Sequence, residues 1–479
     1  MELNEIIAQR KSKVNFLKDK GIEPYGFAVR ERLPIREAID NFKDGASLLI
    51  AGRLIAKRSH GKAIFLDVKD GTDKIQVYIK EDIIGQEKFQ LLDSLDIADI
   101  IAVKGELFKT HTQEITVKAI DLILLSKALR PLPEKWHGLK DIETRYRRRY
   151  LDLITNEKVR EVFLIRSRII KLIREFLDKS GYLEVETPMM HPIPGGARGR
   201  PFKTYHNEYD LELYLRIAPE LYLKQLVVGG LDKVYEINRS FRNEGVSTKH
   251  NPEFTMLEVY TAYADYKDMM ALAKNMVMYI AKEILGKEEL VYQDKKIDLS
   301  QWEEVSFAKL MKDNYNINPE DKLDEWFHKL KAKAVAVESE NISRSFMVNL
   351  MAELIEPKSK HPVFVTDLFT ELCPLAKTKR DNPQLTERFE LFIAGIELAN
   401  AYSELNDPGE QRKRFEEELK DMPADEKKNI DEDFIMALEH GMPPAGGLGI
   451  GIDRLVMLLT DQPSIRDVIL FPLLKPENI

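Results

Sequence analysis

The feature that most constrains the fold of this chain is the alternation of aliphatic residues with polar or aromatic ones in two neighbouring stretches. Apolar side chains occupy every second position of 64–68 and again of 75–79. A period of two residues predicts half-buried β-strands, because successive side chains of a strand point to opposite faces. The segment 70–73, with the sequence Asp-Gly-Thr-Asp, lies between the two stretches and has the composition of a hairpin turn. We therefore expect a β-hairpin with one buried and one exposed face.

This hairpin is expected to belong to a small barrel. Two further strand candidates, 100–108 and 114–125, follow a more helical stretch near 81–92. Strands arranged around a short helix are typical of the five-stranded OB-fold barrel. We expect such a barrel over residues 45–126, after an N-terminal helical extension over residues 1–44.

Side chains on the outer face of this barrel suit nucleic-acid binding. The alternation places Phe65 and Gln76 away from the apolar set, and Arg58 lies in the basic stretch just before them. An exposed aromatic ring beside an amide and a basic loop binds single-stranded nucleic acid by stacking and hydrogen bonding. On these residues alone, an ordinary exposed phenylalanine under a solvated loop is the alternative interpretation.

Composition excludes several classes of protein. The 479 residues carry a net charge of −8, which argues against nonspecific coating of nucleic acid but permits a local basic patch. The single cysteine, Cys373, excludes an intrachain disulfide. No apolar run approaches membrane-spanning length, and the first residues lack the basic and apolar segments of a secretory leader. We expect two or three domains, no membrane partner and a reducing, cytoplasmic location.

Two segments that are far apart in the sequence suit a site for a polyphosphate. The first, 241–254, contains Arg242 near its beginning, and the second is a glycine-rich run, 447–453, followed by Arg454. Guanidinium groups match phosphate oxygens, so the two arginines are candidates to hold phosphates from both sides. The ring of Phe254 offers a surface on which an adenine base can stack.

Five glutamates in the C-terminal part of the chain outnumber the cations beside them. They are Glu220, Glu258, Glu390, Glu397 and Glu404. In one dry pocket they would repel one another, so we expect cationic ligands to neutralise them. Glu390 and Glu397 suit Mg²⁺, which binds carboxylate and phosphate oxygens. Glu220 and Glu404, together with Tyr260, suit an ammonium group. For any single glutamate, an ordinary surface charge is the simpler interpretation.

The spacing of these acids predicts two irregularities in the strands that carry them. Glu390 and Glu397 are seven residues apart, so a regular strand would point them to opposite faces. A bulge or bend at Gly395 would bring both carboxylates to one face. Asn400, three residues after Glu397, then requires a second irregularity before Tyr402.

Residues 162–177 show the three- and four-residue period of an amphipathic helix, and a short strand, 182–186, leads from it to Thr187 and Pro188. These segments, together with the two arginine segments, resemble the signature motifs of class II aminoacyl-tRNA synthetases. Over nearly its whole length the chain is similar to the lysyl-tRNA synthetases of that class. The resemblance implies a homodimer formed through the helix and strand just described.

The resemblance also implies an α+β fold in two parts. An OB-fold barrel that binds the tRNA anticodon precedes a linker over residues 127–150. A class II catalytic domain, an antiparallel sheet flanked by helices, would then occupy residues 151–479, with a mostly helical insertion at about 287–360. The implied reaction activates L-lysine with ATP, in the presence of Mg²⁺, and transfers it to the 3′ end of lysine tRNA.

Site residues follow from the same resemblance. Contacts with lysine are implied for Gly196, Glu220, Arg242, Glu258, Tyr260, Asn400 and Glu404. Contacts with ATP are implied for Arg242, Glu244, His250, Phe254, Glu390 and Arg454, and contacts with Mg²⁺ for Glu390 and Glu397. Anticodon contacts are implied for Arg58, Phe65, Gln76 and Glu114. Arg242 and Arg454 would be the catalytic cations. Gly196 with Glu258 would meet the α-amino group of lysine, and Glu220 with Tyr260 and Glu404 its ε-ammonium.

Two other classes of function stay open at this stage. An aspartate- or asparagine-type class II synthetase shares the layout, but its pocket should offer cations where this chain has Glu220 and Glu404. The other class is a non-catalytic RNA-binding paralogue, or a protein-modifying ligase. The arginine-rich segment 145–149 is either a solvated helix face or a contact with RNA or a partner subunit.

Overall fold

The computed structural model describes residues 2–133, 139, 141–197, 199–337, 343–354, 357, 359–421 and 429–477, without the side chains of His60 and Asp421. Residues 134–138 and 140, which belong to the expected linker, therefore lie outside the described residues. The chain divides into two compact units, Met1–Lys140 and Asp141–Ile479.

The first unit contains a closed five-stranded barrel. Its elements are α1 (Leu3–Asp19), α2 (Ile35–Asp40), β1 (Ser47–His60), β2 (Ala63–Lys69), β3 (Lys74–Lys80), α3 (Glu81–Ile84), α4 (Gln86–Leu91), β4 (Ile100–Lys109) and β5 (Ile115–Ser126). The strands follow the order β1-β2-β3-β5-β4, and β1 closes the barrel by pairing with β4. The expected OB-type barrel, with a helical stretch between its third and fourth strands, is confirmed.

Alternation in the sequence accounts for the faces of the barrel. In β2 and β3 every second residue is buried, and Leu66 and Val77 belong to the apolar core inside the barrel. Asp70 closes the hairpin between them by accepting hydrogen bonds from the backbone N–H groups of Thr72, at 2.6 Å, and Asp73, at 3.0 Å. Phe65 and Gln76 lie on the outer face, as predicted.

The second unit is built around one large sheet. Up to the middle of the unit its elements are α5 (Ile142–Arg147), α6 (Arg149–Thr155), α7 (Glu157–Lys179), β6 (Leu183–Glu184), β7 (Met190–His191), β8 (Lys203–His206), β9 (Leu211–Leu215), α8 (Glu220–Val228), β10 (Lys233–Phe241), β11 (Glu253–Ala262), α9 (Tyr266–Leu285), β12 (Glu289–Tyr292), β13 (Lys295–Asp298) and β14 (Glu303–Ser306). The remainder consists of α10 (Phe307–Tyr315), α11 (Leu323–Ala332), α12 (Arg344–Glu353), β15 (Val363–Thr366), β16 (Arg388–Ile393), β17 (Ile396–Ser403), α13 (Pro408–Asp421), α14 (Glu432–Glu439), β18 (Ala445–Gly451), α15 (Ile452–Leu459) and α16 (Ile465–Val468).

Eight strands form this sheet in the order β14-β15-β16-β17-β18-β11-β10-β6. Every pair from β15 to β10 is antiparallel, but the two outermost pairs, β14 with β15 and β10 with β6, are parallel. The sheet is thus mixed, whereas the sequence led us to expect an antiparallel one. The edge strands are four and two residues long, too short to show a period of their own.

Helices cover one face of the sheet and leave the other face for the site. The predicted helix period is confirmed in α7, where Val162, Ile169 and Leu177 belong to the main core. Leu257 and Val259 of β11 point into that same core. Residues 256, 258 and 260 alternate with them and line a cavity on the opposite face.

The segment 287–360 contains both kinds of secondary structure. Its helices α10, α11 and α12 enclose a separate core that includes Trp326 and Met347. The strands β12 and β13 form a two-stranded sheet, and β14 joins the edge of the main sheet. Within the described part of the chain, no helix is both long enough and apolar enough to cross a bilayer.

Candidate active site

The floor of the cavity is formed by two rows of residues that run across β11, β18, β17 and β16. Strand pairing aligns Glu258, Gly449, Asn400 and Glu390 in one row. The next row consists of Tyr260, Gly447, Tyr402 and Arg388. Each row thus has one glycine, on β18, between larger polar side chains of the neighbouring strands, so the floor is lowest at β18.

The glycine run predicted from the sequence is a central strand, β18. A Cβ atom added at Gly447 would lie 1.9 Å from Oε1 of Glu404 and 2.8 Å from Cε1 of Tyr260. No real Cβ atom approaches other atoms so closely, so only glycine fits at this position. Glycine inside a strand often marks the close approach of another group, and here the group is the carboxylate of Glu404.

Both irregularities predicted from the spacing of the acids are present. Ala394 and Gly395, with φ of 55° and 80°, form the two-residue turn between β16 and β17. The register then shifts at Leu398, because Leu391 pairs with Ala399 while the neighbouring Phe392 pairs with Glu397. This bulge lets Glu397 and Asn400 face the same cavity, although they are three residues apart.

Glu220 and Glu404 lie together, and a lysine of the chain itself lies between them. Nζ of Lys224 is 2.6 Å from Oε1 of Glu220 and 2.5 Å from Oε2 of Glu404. The side chain of Lys224 is 0% exposed and those of the two glutamates are 6% and 0% exposed. Burial disfavours the ammonium form, but the two carboxylates outweigh this effect and raise the pKa of Lys224. The predicted acid pair is therefore buried, but it already contains one cation.

Two tyrosines complete the surroundings of these acids. The hydroxyl of Tyr402 donates to the carboxylate of Glu220, at 2.7 Å from each oxygen. The hydroxyl of Tyr260 donates to Oε2 of Glu258 at 3.3 Å. Burial and the charge of Glu220 raise the pKa of both tyrosines, so both hydroxyls remain protonated and act as donors.

Glu258 is buried without an ion-pair partner among the described residues. Burial, followed by the charges of Glu220 and Glu236, raises its pKa to about 8. Glu236 lies opposite Glu258 in the β10–β11 ladder and is itself paired with Arg216, whose Nη1 is 2.6 Å from Oε1. Burial also raises the pKa of Glu404 to about 8, since Lys224 offsets only part of that cost.

At this end of the cavity the negative charges outnumber the positive ones. Among the described residues in the wall of the cavity or directly behind it, the buried carboxylates are those of Glu220, Glu236, Glu258 and Glu404, and the buried cations beside them are Lys224 and Arg216. Fully ionised, four negative and two positive charges leave a surplus of two negative charges. Such a surplus is costly in a buried place, and burial together with the repulsion between these acids raises the pKa values of Glu258 and Glu404.

Arg242 lies at the other end of the cavity and has no ion pair among the described residues. Its Nε is buried and without a hydrogen-bond partner, and its guanidinium lies over the ring of Phe254, 5.2 Å from the centroid. Burial lowers the pKa of the guanidinium. A partly buried cation without a partner favours the binding of an anion.

The second predicted arginine is held in place by contacts within the chain. Asp453 anchors the start of α15 by accepting from the backbone N–H of Thr255 at 2.7 Å. Nη1 of Arg454 donates to the backbone oxygen of Glu397 at 2.6 Å and lies 3.2 Å from its Oε2. Nη2 is 3.4 Å from Nε2 of His250, and burial and Arg454 lower the pKa of that imidazole, which is therefore neutral at neutral pH.

The predicted metal ligands, Glu390 and Glu397, each have an arginine partner. Nη2 of Arg388 is 2.7 Å from Oε1 of Glu390, and Arg454 is the partner of Glu397. Burial raises the pKa of Glu390, while Arg388 lowers it and Glu397 raises it further. Among the described residues there is no group of three or more acidic, histidine or cysteine side chains that could hold a metal ion on its own.

The two ends of the site are continuous. A cavity of about 640 Å³ is lined by Gly196, Arg242 and four of the five predicted acids, and a neighbouring one of about 210 Å³ is lined by Glu244, His250 and Phe254. The fifth acid, Glu404, is buried and does not line either cavity. Arg242, Asn400 and Arg454 line both cavities. Gly196 has φ of 83° and lies against Glu220, since an added Cβ would be 3.0 Å from Cβ of that residue.

In the barrel unit, all four predicted anticodon residues lie close together. Arg58 forms a bidentate ion pair with Asp67, at 3.2 and 2.8 Å, and Gln76 donates to Glu114 at 3.1 Å. Arg58 pairs with Phe65 across the β1–β2 ladder. The ring of Phe65 lies 5.1 Å from that of Tyr78, which in turn is 6.1 Å from that of Phe108.

Sequence reasoning missed four functional groups: Lys224, Arg216, Arg388 and Tyr402. For Lys224 a signal existed, because it follows Glu220 by four residues on α8, the spacing of a helical ion pair. For Tyr402 the signal was that it lies two residues from both Asn400 and Glu404, so on a strand its side chain would point to the same face as theirs. Arg216 and Arg388 showed no pattern that distinguished them from surface arginines.

Two family models match the chain. The model described as tRNA synthetases class II (D, K and N) matches residues 141–475, and the model described as an OB-fold nucleic acid binding domain matches residues 48–125.

Known proteins resemble the chain over its whole length. The Lysine--tRNA ligase of Carboxydothermus hydrogenoformans is 53% identical over 487 residues, which cover 100% of this chain and 99% of the relative. The protein of the same name from Moorella thermoacetica is 52% identical, with 99% of each chain covered. That from Bacillus subtilis is 49% identical and covers 98% of this chain and 97% of its own length.

Proposed function

The chain belongs to the class II tRNA synthetases of the D, K and N group, and we propose that it ligates lysine to tRNA by matching the two ammonium groups of lysine to two surplus negative charges. As a lysine–tRNA ligase it activates lysine with ATP and transfers the lysyl group to tRNA. The observation that carries the proposed mechanism is the surplus of two buried carboxylates over buried cations at one end of the cavity. Free lysine has an α-ammonium and an ε-ammonium, so its two charges would bring the cluster to neutrality.

Contacts around the acids support a particular division of the two ammonium groups. Glu258 shares a row of the sheet with Asn400, and its charge acts on Arg242, so we assign the α-ammonium, which lies next to the carboxylate of lysine, to Glu258 and Gly196. Glu220 and Glu404 both lie within 2.6 Å of the ammonium of Lys224, and Tyr260 and Glu404 both approach Gly447, so we assign the ε-ammonium to Glu220, Tyr260 and Glu404. This division is the one that the resemblance implies.

The remaining contacts with lysine and ATP are assigned from charge. Arg242 would bind the carboxylate of lysine together with the α-phosphate of ATP, and Asn400, which lines both cavities, would hold the carboxylate from the other side. We assign ATP to Arg454, Glu244, His250, Phe254 and Glu390. The neutral imidazole of His250 can donate to a phosphate oxygen without repelling Arg454.

Glu390 and Glu397 fit a magnesium ion that ATP brings with it. Mg²⁺ is usually bound by one or two carboxylates together with substrate phosphates, so the absence of a complete protein cage among the described residues agrees with such a site. Burial and the charge of Glu397 raise the pKa of Glu390, and a cation held by these carboxylates would offset both effects. When bound, the ion would neutralise phosphate charge.

The proposed reaction has two steps. The lysine carboxylate attacks the α-phosphorus of ATP, and the bond to the β-phosphate breaks to give lysyl-adenylate and pyrophosphate. A terminal hydroxyl of tRNA then attacks the carbonyl carbon of the adenylate, which releases AMP. The first nucleophile is already ionised, so the chain contributes positioning and charge neutralisation by Arg242 and Arg454.

Exchange of labelled pyrophosphate into ATP, measured with one amino acid at a time, tests this proposal. Lysine should support exchange, and aspartate and asparagine should not, because their side chains bring no cation to the surplus acids. Charging of lysine tRNA by the same preparation tests the second step. Exchange with aspartate or asparagine, or none with any amino acid, would contradict the proposal.

Lysine affinity should depend on pH. In the unliganded pocket, Glu258, which has a pKa of about 8 and no ion-pair partner among the described residues, is largely protonated at neutral pH, and it must ionise to bind an ammonium group. The dissociation constant for lysine should therefore fall by roughly tenfold per pH unit for each proton released, between about pH 6 and 8. Titration calorimetry in two buffers with different ionisation enthalpies measures both the constant and the released protons. A constant dissociation constant with no proton release would contradict the assignment.

We further propose that the barrel unit binds the anticodon through Arg58, Phe65, Gln76 and Glu114. Removal of the ring in Phe65→Ala should raise the KM for tRNA by about 5–150-fold, since stacking of one base contributes about 1–3 kcal/mol. Lysine-dependent pyrophosphate exchange should stay unchanged, because that reaction uses only the second unit. Phe27→Ala is a matched control, as Phe27 is an exposed phenylalanine of the same unit. Equal effects of the two substitutions on tRNA charging would contradict the proposal.

A homodimer and a cytoplasmic location complete the proposal. Leu164 of α7, Leu183 of β6, Met190 of β7 and Tyr205 of β8 are all exposed, and a partner subunit would cover them. Sedimentation equilibrium should give a mass of two 55.4 kDa chains. The location follows from the tRNA substrate and from the single, unpaired cysteine.

A further inference from the structure

An arginine occupies the core-facing stripe of α7. Arg166 follows Val162 by four residues and precedes Ile169 by three, and both of these apolar residues belong to the main core. An apolar residue is expected at such a position, because a charged group is costly to bury unless it is paired and hydrogen-bonded. The side chain of Arg166 is only 15% exposed, so its contacts must offset that cost.

The guanidinium of Arg166 joins three separate segments of the second unit. Nη1 is 2.5 Å from Oδ1 of Asp453, at the start of α15, and donates at 3.1 Å to the backbone oxygen of Val468, at the end of α16. Nη2 donates to the hydroxyl of Thr255 on β11 at 3.0 Å. Asp453 and Thr255 are also joined directly, because Oδ2 of Asp453 accepts from the backbone N–H of Thr255 at 2.7 Å. One planar cation therefore fixes the relative positions of β11, α15 and α16.

These three segments form walls of the smaller cavity, the one assigned to ATP. The cavity of about 210 Å³ is lined by Phe254 from β11, by Arg454 from α15 and by Ile465 from α16. Phe254 and Arg454 are the chain neighbours of Thr255 and Asp453, the two residues whose side chains Arg166 contacts. A shift of either contact would therefore move a side chain that is assigned to ATP.

We propose that Arg166 is a positioning residue for the nucleotide, which holds the ring of Phe254 and the guanidinium of Arg454 at the separation that ATP requires. Arg166 does not line the cavity, so it acts through Asp453 and Thr255. The acids assigned to the ammonium groups of lysine do not line this cavity, so the effect should be specific to ATP. This inference rests on the proposed function.

Arg166→Met tests the proposal in the full-length chain, because methionine keeps an unbranched side chain and removes every donor. The dissociation constant for ATP with Mg²⁺, measured by equilibrium dialysis without an amino acid, should rise by roughly 10–100-fold, the contribution of one hydrogen bond to a charged group. The dissociation constant for lysine, measured without ATP, should change by less than about threefold, because the two sites are separate. A purely structural arginine would lower the melting temperature and weaken both ligands alike. That result, or an unchanged affinity for ATP, would overturn the proposal.

Arg239→Met is the matched control. Arg239 donates to the same hydroxyl, that of Thr255, at 3.1 Å, but its acidic partner is Glu253 and not Asp453. Its loss leaves the three segments joined, so the dissociation constant for ATP should stay within about threefold of the unmodified value. An equal loss of ATP affinity in the two variants would overturn the proposal, since the contact with Thr255 alone would then explain it.

A double-mutant cycle tests whether the effect passes through Asp453. Asp453→Asn removes the charge with which Arg166 pairs, so it should weaken ATP binding by itself. If the two residues act through one contact, the double variant should bind ATP no more than about twofold more weakly than the weaker single variant. Losses that add in the double variant would count against the proposed route and overturn it.

A second variant covers the case in which Arg166→Met does not fold. Arg166→Lys keeps a charge for Asp453, but one ammonium lacks the forked donors that reach the other two segments. Affinity for ATP should fall by about 3–10-fold with lysine affinity unchanged, and an equal loss for both ligands would overturn the proposal. Absence of ATP binding or of lysine-dependent pyrophosphate exchange in the unmodified protein would instead contradict the proposed function, so the two failures are distinguishable.

Discussion

Substitution of Gly447 by alanine should lower lysine-dependent pyrophosphate exchange by about 10²–10³-fold. The added Cβ would lie 1.9 Å from the carboxylate of Glu404 and 2.8 Å from the ring of Tyr260. Glu404 would have to leave its place beside Lys224, and breaking a buried ion pair costs about 3–5 kcal/mol. The KM for lysine should carry most of the loss, since the KM for ATP depends on the other end of the cavity.

Gly409→Ala is the control for this substitution. An added Cβ there would meet its nearest atom, Oδ1 of Asp407, at 3.4 Å, which is an ordinary contact. Exchange with the control variant should stay within about threefold of the unmodified protein. If Gly447→Ala kept full activity with lysine, Glu404 could not be a contact of the substrate in the position described.

Removal of the guanidinium in Arg242→Met should reduce kcat for pyrophosphate exchange by roughly 10³-fold. Arg242 has no ion pair among the described residues, so its charge is available to the lysine carboxylate and the α-phosphate. Removal of one preorganised donor to a developing charge typically costs about 10²–10³-fold in kcat. The loss should be present at saturating lysine and ATP, because the interaction strengthens in the transition state.

Arg239→Met is the matched control for Arg242. Arg239 lies on β10, which ends just before Arg242, but it pairs with Glu253 at 3.3 Å and donates to Thr255 at 3.1 Å. Its loss should change kcat by less than about threefold. Similar losses of kcat in the two variants would show that Arg242 acts through the fold and not through the reacting groups.

Much of the architecture could be predicted because it depends on local periodicity. The alternation in β2 and β3 determines both the barrel core and the outer position of Phe65 and Gln76. The odd spacings from Glu390 to Glu397 and from Glu397 to Asn400 were enough to predict a bulge or bend at Gly395 and a second irregularity before Tyr402. Where one face of a strand must be buried, an even spacing between two residues predicts that they share a face, and an odd spacing predicts that they do not.

Long-range packing explains what could not be predicted. Glu220 and Lys224 look like an ordinary exposed helix pair in the sequence, and only the packing of β17 and α14 over α8 buries them. The parallel edge strands depend in the same way on partners distant in sequence. The glycine-rich run at 447–453 shows no strand pattern of its own, whereas the strands on both sides make β18 a central strand.

The most direct test of the account compares lysine, ornithine and methionine as substrates in the pyrophosphate exchange reaction. If two surplus negative charges select the amino acid, methionine should react at least about 10⁴-fold less efficiently than lysine, because it leaves buried charges unpaired. Ornithine, which keeps both ammonium groups, should be the closest competitor. Comparable values of kcat/KM for methionine and ornithine would contradict the account.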